Sequence, residues 1–229
     1  MPVTEVYRRE LKYEMSRTAF RRLEERLSGI MERDGFCKDE GGYRVRTLYF
    51  DTPFETDYYA TRDGLENRKK IRLRLYSTGD EYLKLERKAK SGLEQSKTGI
   101  TVSRALASEI IKGNFSALLE LGDSFASSLA MELMSGAYRP QLLVEYARTA
   151  YIAPTNHIRI TYDSGIRFSR SCTDIFAENP LLIPLTNEAM GVLEIKYDRF
   201  LFSYIKEQLR GVDELPEAFG KYVMSCENA

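Results

Sequence analysis

The sequence has little of what extracellular or membrane proteins usually contain. Its three cysteines, Cys37, Cys172 and Cys226, are odd in number and widely spaced. They therefore form neither a paired disulfide framework nor a CxxC zinc pattern. No apolar run approaches the roughly 18 to 20 residues that a transmembrane helix needs. The charged N-terminus does not resemble a signal peptide. We therefore expect a soluble, cytoplasmic protein in a reducing compartment.

Net charge is absent as well. The 34 Lys and Arg residues are balanced by 34 Asp and Glu residues, whereas a nucleic-acid-binding domain is usually basic, so we expect no nucleic-acid partner. His157 is the only histidine, which excludes a histidine-rich metal site, and we expect it to be structural. There is no GxxxxGK[ST] motif and hence no sign of a P-loop nucleotide fold. Any affinity for anions must come from the local arrangement of charges.

The hydrophobic pattern predicts strands and helices within one domain that spans residues 1–229. Strands are predicted at 5–14, 43–52, 68–76, 81–89, 96–102, 140–153, 157–170 and 191–198. Helices are predicted at 16–33 and 58–62, within 103–136, at 200–210 and in the last dozen residues. In the first helix Ser16 is the expected N-cap, and Phe20, Leu23, Leu27 and Ile30 recur at helical spacing. This order of elements favours an α+β domain rich in antiparallel strands.

Cations are concentrated on one face of the predicted strands. Side chains alternate between faces along a strand, so Lys70, Arg72 and Arg74 share a face opposite Ile71, Leu73 and Leu75. Over all the strands the charged faces carry these cations: Arg8, Lys12, Lys70, Arg72, Arg74, Lys84, Lys88, Arg148, Arg159 and Lys196. The anions on the same faces are Glu10, Glu86, Asp163 and Glu194. Any single strand fits an ordinary amphipathic sheet with a solvated face. The excess of cations over all the strands does not fit such a sheet, because like charges that lie opposite each other repel.

The excess of cations predicts a binding site for a polyanion. If the sheet closes into an antiparallel β-barrel that forms a tunnel, the charged faces point inward and the helices pack outside on the apolar faces. Unpaired buried charge is costly, and arginine can hold phosphate in a bidentate fork, so a phosphate-rich ligand is the expected occupant. Glutamates on these faces could hold Mn²⁺ or Mg²⁺ together with phosphate oxygens. Glu10 and Glu86 fit counter-charges to their neighbours equally well.

The same segments resemble a known family. The resemblance rests on "YRRELKY" (7–13), "LYFDTP" (48–53), "IRLRLY" (71–76), "LKLERK" (83–88), "YAR" (146–148), "IRITYD" (158–163) and "LEIKY" (193–197). In this order they resemble the VTC domain, the polyphosphate polymerase domain of the vacuolar transporter chaperone complex. That domain belongs to the CYTH-like, or triphosphate tunnel metalloenzyme, superfamily. The resemblance implies a basic tunnel, a divalent cation, and transfer of the ATP γ-phosphoryl group to polyphosphate.

The resemblance also implies roles for single residues. The expected catalytic cations are Arg72, Arg74, Lys88, Arg148 and Arg159. The expected phosphate-binding residues are Lys12, Lys84, Lys97, Tyr146, Lys196 and Lys221, of which Lys84 and Lys196 are added from the charged faces. Glu194 matches the metal-binding glutamate of the family, and Glu10 and Glu86 are further candidates from the charged faces.

The sequence also departs from the family pattern. Gly220 stands where the family has the serine of a Ser-Lys-Tyr motif, here followed by Lys221 and Tyr222, and Ala218 stands where polymerases carry another lysine.

Two alternatives stay open, a triphosphatase of the same fold and a non-catalytic polyphosphate-binding module. ATP or triphosphate and polyphosphate are the expected ligands. We expect no membrane insertion by this chain, although a membrane protein could be its partner. The preferred nucleotide, the preferred metal and the oligomeric state stay open.

Overall fold

The chain divides into two compact units. The computed structural model describes residues 8–37, 41–92, 94–210, 212 and 219–229, without the side chain of Arg8. The first unit comprises Met1–Arg44, Tyr146–Ile166 and Pro184–Gly220, and the second comprises Val45–Glu145, Arg167–Ile183 and Lys221–Ala229. The expectation of a single domain stays a prediction. Residues 5–7 of the first predicted strand, and Ala218, lie outside the described residues.

The described strands form a mostly antiparallel sheet. They are β1 (Arg8–Ser16), β2 (Glu32–Arg33), β3 (Tyr43–Asp51), β4 (Asn67–Leu75), β5 (Tyr82–Ser91), β6 (Glu94–Ser103), β7 (Arg139–Ala153), β8 (Ile158–Ser169), β9 (Ile183–Pro184) and β10 (Met190–Asp198). They hydrogen-bond in the order β1-β10-β8-β7-β3-β4-β5-β6, with β2 on β7 and β9 on β8. Within the described residues this path is open, and β1 and β6 are its end strands. The sheet and its helices confirm the α+β class.

The helices follow the predicted segments. They are α1 (Arg17–Ser28), α2 (Thr56–Arg62), α3 (Arg104–Ile111), α4 (Ser124–Ser135), α5 (Ser203–Gln208) and α6 (Lys221–Glu227), with 3-10 turns at Phe115–Leu121 and Thr155–His157. Ser16 caps α1 as predicted, because its hydroxyl accepts a hydrogen bond from the Ala19 N–H at 3.1 Å. Among the described residues, none of these helices combines the length and the apolar character needed to cross a bilayer.

The first helix is shorter than predicted. The pattern extended to residue 33, but α1 ends at Ser28 and Gly29 follows it as the C-cap. Phe20, Leu23 and Leu27 are buried as expected, whereas Ile30 lies beyond the helix end and is 36% exposed. The prediction that this helix continues to residue 33 was therefore wrong. Helical spacing continued by chance past the residue at which the backbone leaves the helix.

In each unit a helix layer covers the apolar face of the strands. In the first unit, α1 packs on β8 and β10, and Phe20 stacks on Tyr162 with ring centroids 4.0 Å apart. In the second unit, α3 and α4 cover the apolar side chains of β4 and β5, among them Ile71 and Leu85. Burial of these faces drives the packing. Because side chains alternate, the charged residues of the same strands lie on the faces away from the helices.

Candidate active site

A basic face extends across three neighbouring strands of the second unit. Arg72 of β4 is paired with Glu86 of β5, and Glu86 is paired with Gly99 of β6. Directly opposed residues of an antiparallel ladder share a face. The side chains of Arg72, Arg74 and Glu86 are only 16%, 11% and 8% exposed. The centre of this face is therefore sheltered from bulk water, unlike the solvated face of an ordinary amphipathic sheet.

Six cations share this face with one carboxylate. Within the described segments 70–74, 84–88 and 97–101, the register places on it Lys70, Arg72, Arg74, Lys84, Lys88 and Lys97, together with Glu86. Lys70, Lys88 and Lys97 are consecutive partners across β4, β5 and β6. Like charges in such positions destabilise a sheet unless an anion compensates them. The arrangement therefore fits a site for a ligand with several negative charges.

Glu86 is the counter-charge of this face. Its Oε2 accepts from Arg72 Nε at 2.9 Å and lies 3.7 Å from Arg74 Nη1, while its Oε1 contacts Lys97. Burial alone would raise the pKa of Glu86, but the charges of Arg72 and Arg74, helped by Lys97, lower it to about 2. Both carboxylate oxygens are thus engaged by cations. This favours the counter-charge alternative, and a role for Glu86 in metal binding stays a prediction.

Arg74 lacks part of its hydrogen bonding. Its Nε is buried and has no acceptor among the described residues. Its nearest anion, the Glu86 carboxylate, is 3.7 Å away, beyond ordinary hydrogen-bond distance. A buried donor without an acceptor costs about 1 to 3 kcal/mol, and more when it is charged. Arg74 therefore has donor capacity that an oxyanion can take up.

The other predicted cations of this unit lie nearby in the fold. Lys84 is exposed, and its Nζ donates to Thr101 Oγ1 at 2.5 Å. Lys97, which the resemblance matched to a loop lysine, lies within β6. Its side chain is 54% exposed although it contacts Glu86.

Lys221 is held in place by its neighbour in α6. Tyr222 is 2% exposed, and its hydroxyl donates to Asp51 Oδ2. Its ring stacks on Tyr49 at 4.8 Å between centroids, and Lys70 Nζ lies 5.9 Å from the ring centroid. This buried anchor fixes the start of the C-terminal helix. The position of the Lys221-Tyr222 pair thus has a structural reason, although Gly220 stands where the resemblance leads us to expect a serine.

The first unit contains a second, more balanced cluster on β1 and β10. The register pairs Glu10 with Lys196 and Lys12 with Glu194. Glu194 Oε1 lies 2.5 Å from Lys196 Nζ, and Glu10 Oε1 lies 3.1 Å from Lys12 Nζ. Lys12 Nζ also donates to the carbonyl oxygen of Phe219 at 3.0 Å. Two carboxylates and two lysines therefore alternate over two adjacent strands.

Arg148 and Arg159 each have an acidic partner. The Arg148 guanidinium donates from Nε and Nη2 to the two oxygens of Asp163, at 2.6 and 2.8 Å. Burial alone would lower the pKa of Arg148, but the Asp163 carboxylate holds it well above its usual value. Arg159 Nη2 lies 2.6 Å from Asp34 Oδ2 and donates to the hydroxyl of Tyr43 at 3.0 Å. Both arginines are fixed in position before any ligand binds.

Tyr146 completes this group of predicted residues. It is 4% exposed, and the Arg148 guanidinium carbon lies 5.3 Å from its ring centroid. A cation at this distance is attracted by the ring face. Tyr146 therefore stabilises the position of the Arg148 guanidinium.

His157, expected to be structural, contacts Asp198 Oδ2 through Nδ1 at 2.8 Å.

The cluster of Glu10 and Glu194 fits the divalent cation that the resemblance implies. Mg²⁺ and Mn²⁺ are commonly held by one or two carboxylates together with substrate phosphates. Among the described side chains, Glu194 Oε2 has no cation nearer than Lys12 Nζ at 3.9 Å, so this oxygen has coordination capacity left. The described residues contain no group of three or more His, Cys, Asp or Glu side chains that could hold a metal alone. Water molecules or phosphate oxygens would complete the coordination of the cation.

Replacement of Glu86 by Gln is expected to lower the free energy of unfolding by about 3 kcal/mol at pH 7. A carboxylate whose folded pKa is depressed stabilises the fold above its unfolded pKa, and loses that effect as the pH falls through the folded value. The difference between the two proteins should therefore be complete above about pH 4.5 and shrink towards pH 2. Urea unfolding between pH 3.5 and 7 measures it. The control is Glu109→Gln, which removes a more exposed pair with Lys112 and should change little. An equal loss in both variants would contradict the role of Glu86.

Several polar partners at these clusters were not identified from the sequence. They are Asp34, Tyr43, Thr101 and the carbonyl group of Phe219. Alternation along a strand gives the face of a residue but not the residue it meets on the next strand. Asp34 lies in the segment after β2, where no strand pattern marked it.

Comparison with known proteins identifies a family and a fold. The VTC domain profile matches residues 7–229. A candidate adenylyl cyclase from Hippeastrum, reported to have a dominant triphosphatase activity, superposes with a TM-score of 0.57 at 13% identity, over 96% of this chain and 95% of that one. A candidate adenylate cyclase from Bacillus halodurans superposes with a TM-score of 0.51 at 13% identity, over 92% of both chains. A search of curated proteins gave no match. These two structures show that the chain shares their fold.

Proposed function

The chain belongs to the VTC domain family, and on that premise we propose that it is a metal-dependent polyphosphate polymerase. It would transfer the γ-phosphoryl group of ATP to the end of a polyphosphate chain. Family and fold together support an enzyme of the triphosphate tunnel type. The polymerase reaction is the narrower proposal.

The observation that carries this proposal is the charge on the basic face of the second unit. Within the described segments, six cations lie with a single carboxylate on three adjacent strands, and Arg74 retains a buried donor without an acceptor there. A linear chain of phosphates offers many oxygens with closely spaced charge, which several arginine and lysine side chains can share. One small anion could not engage all six side chains at once.

Phosphoryl transfer needs positioning and charge neutralisation more than covalent help from the protein. Arg72 and Arg74 would hold phosphate oxygens in their guanidinium forks, and Lys88 would add a point charge. The attacking group would be a terminal phosphate oxygen of the acceptor chain. That oxygen is already ionised at neutral pH, so the protein has no need to supply a nucleophile.

The predicted residues of the first unit carry fixed charges of their own. Arg148 and Arg159 are held by Asp163 and Asp34, so they need little reorganisation when charge develops on a phosphoryl group. Glu194, with Glu10 beside it, would hold the divalent cation. A bound Mg²⁺ or Mn²⁺ polarises phosphoryl oxygens and neutralises charge on them.

Two other functions use the same residues. The triphosphatase activity reported for the Hippeastrum protein favours hydrolysis as the second candidate, with water as the acceptor. A binding module that holds polyphosphate without turnover is the third. Water and a phosphate terminus need the same surrounding charges as acceptors, so only identification of the reaction products distinguishes these functions.

The test is incubation of the purified protein with ATP and Mn²⁺, followed by measurement of ADP, inorganic phosphate and polyphosphate. A polymerase should release ADP and form polymer with little inorganic phosphate, and EDTA should abolish the reaction. Inorganic phosphate without polymer would establish the triphosphatase instead. No turnover together with tight binding of tripolyphosphate would leave only the binding module.

A further inference from the structure

Thr161 has a buried hydroxyl group for which the described part of the chain offers no hydrogen-bond partner. The residue lies in β8 and is 2% exposed, and its Oγ1 makes no hydrogen bond to any described residue. Loss of hydration without a replacement bond costs a hydroxyl group about 1 to 3 kcal/mol. Buried polar atoms without partners are few in native proteins and call for a specific explanation.

The hydroxyl group lies beside Glu194. In the register, Lys12 of β1 is opposite Glu194 of β10, and Glu194 is opposite Thr161 of β8. These three residues therefore form one row on the same face of three strands. Directly opposed side chains have Cβ atoms about 4.5 to 5.5 Å apart. Thr161 is thus the immediate neighbour of Glu194 on the side away from Lys12.

The oxygen atoms of Glu194 and Thr161 favour a cation as the ligand. Glu194 Oε1 is engaged by Lys196 at 2.5 Å, whereas the nearest described cation to Oε2 is Lys12 at 3.9 Å. A carboxylate oxygen and a hydroxyl oxygen without a partner are then available on adjacent strands. An anion would be repelled by the carboxylate. A hard divalent cation prefers such oxygen atoms, whether it binds them directly or through a water molecule.

We propose that the Thr161 hydroxyl is a neutral oxygen ligand of the divalent-cation site of Glu194, bound directly or through one cation-bound water. This rests on the proposed function, because that cation is the one the reaction would use. Cation binding would then supply the interaction that the buried hydroxyl lacks in the protein without metal.

The test compares Thr161→Val, which keeps the shape and removes the hydroxyl, with Thr161→Ser, which keeps the hydroxyl. Binding of Mn²⁺ alone is followed by the electron paramagnetic resonance signal of unbound Mn²⁺. We expect about tenfold weaker Mn²⁺ binding by Thr161→Val. Thr161→Ser should bind within about twofold of the wild type, because it retains the oxygen ligand. Equal Mn²⁺ affinity of the valine variant and the wild type would overturn the proposal.

Thermal melting in EDTA provides a second readout. Removal of an unpaired hydroxyl should leave the melting temperature of Thr161→Val unchanged or higher. A fall in melting temperature would mean that the hydroxyl is satisfied within the fold, and would overturn the proposal. Binding of tripolyphosphate in EDTA should be equal in the valine variant and the wild type. A loss there would assign the hydroxyl to phosphate instead of the cation.

These measurements separate the inference from the proposed function. Neither Mn²⁺ binding nor melting requires turnover of ATP. If the protein proves to be a triphosphatase or a binding module, the cation site of Glu194 and Thr161 can still be found by the Mn²⁺ titration. If polymerase activity is found and Thr161→Val binds Mn²⁺ normally, the inference alone fails.

Discussion

Glu194→Gln is expected to lower Mn²⁺-dependent turnover of ATP by about 100- to 1000-fold, while the protein stays folded. Glutamine keeps the size of the side chain and can still accept a hydrogen bond from Lys196 through its amide oxygen. It lacks the negative charge with which Glu194 would attract the divalent cation. Measurement of kcat over a range of Mn²⁺ concentrations, with circular dichroism of both proteins, tests this expectation.

A matched variant separates the loss of the metal ligand from the loss of an ion pair. Glu132 of α4 also lies between two cations, Lys69 and Arg87, and its side chain is 19% exposed. It belongs to the helix layer that packs on the apolar strand faces. Glu132→Gln should lower the melting temperature without a change in Mn²⁺-dependent turnover. Unchanged turnover in Glu194→Gln would show that Glu194 is not the metal residue.

The strand faces could be predicted because alternation is a local property. Lys70, Arg72 and Arg74 alternate with Ile71, Leu73 and Leu75, and the apolar set could only be the one beneath the helices. The same alternation placed Glu194 on a charged face. These predictions need only the geometry of an extended backbone and the drive to bury apolar surface.

The pairing of charges could not be predicted, because register is set by the whole fold. Nothing in the segment 82–91 shows that Glu86 meets Arg72 on one side and Gly99 on the other. A side chain on Gly99 would approach the Leu85 carbonyl oxygen and Glu86 Cγ to about 3.0 and 3.2 Å, so the glycine leaves room for this carboxylate. That requirement appears only once the two strands are paired.

Arg46 shows the same limit for a residue outside the site. It alternates with Val45 and Thr47 in a segment that reads as an ordinary strand, yet it is 1% exposed. Its Nε donates to Glu145 at 2.7 Å and its Nη1 donates to the carbonyl oxygen of Ile175 at 2.9 Å. A buried arginine of this kind joins segments about 100 residues or more apart, and no local pattern marks it.

Tripolyphosphate is expected to raise the melting temperature of the wild-type protein by several degrees. A ligand that binds only the folded state adds about 2.7 kcal/mol at a hundredfold excess over its Kd. For a chain of this size each kcal/mol corresponds to about 2 to 4 °C. The shift should shrink as salt is added, because the attraction between exposed charges is screened. Orthophosphate at equal concentration should give much less, since it spans fewer of the six cations.

Arg74→Met is expected to lose most of this shift and to keep the melting temperature of the ligand-free protein. Methionine fills much of the same space, and Glu86 keeps its 2.9 Å contact with Arg72 and its contact with Lys97. The native Arg74 has a buried Nε for which no described residue supplies an acceptor, so its removal relieves an energetic cost in the protein without ligand. Loss of charged hydrogen bonds to phosphate should weaken tripolyphosphate binding by about 100-fold or more.

Arg87→Met is the control, because Arg87 lies on β5 with its side chain on the opposite face of the sheet. Its guanidinium pairs with Glu132 at 3.0 Å and lies 5.4 Å from the Phe125 ring centroid, so this variant should melt earlier without ligand. Its tripolyphosphate shift should equal that of the wild type. The two variants thus remove the same charge from opposite faces of adjacent strands. Arg74→Met should lose the tripolyphosphate shift and keep the ligand-free melting temperature, whereas Arg87→Met should keep the shift and melt earlier. Equal shifts in the wild type, Arg74→Met and Arg87→Met would mean that tripolyphosphate responds to net charge alone, and that the basic face is not its binding site.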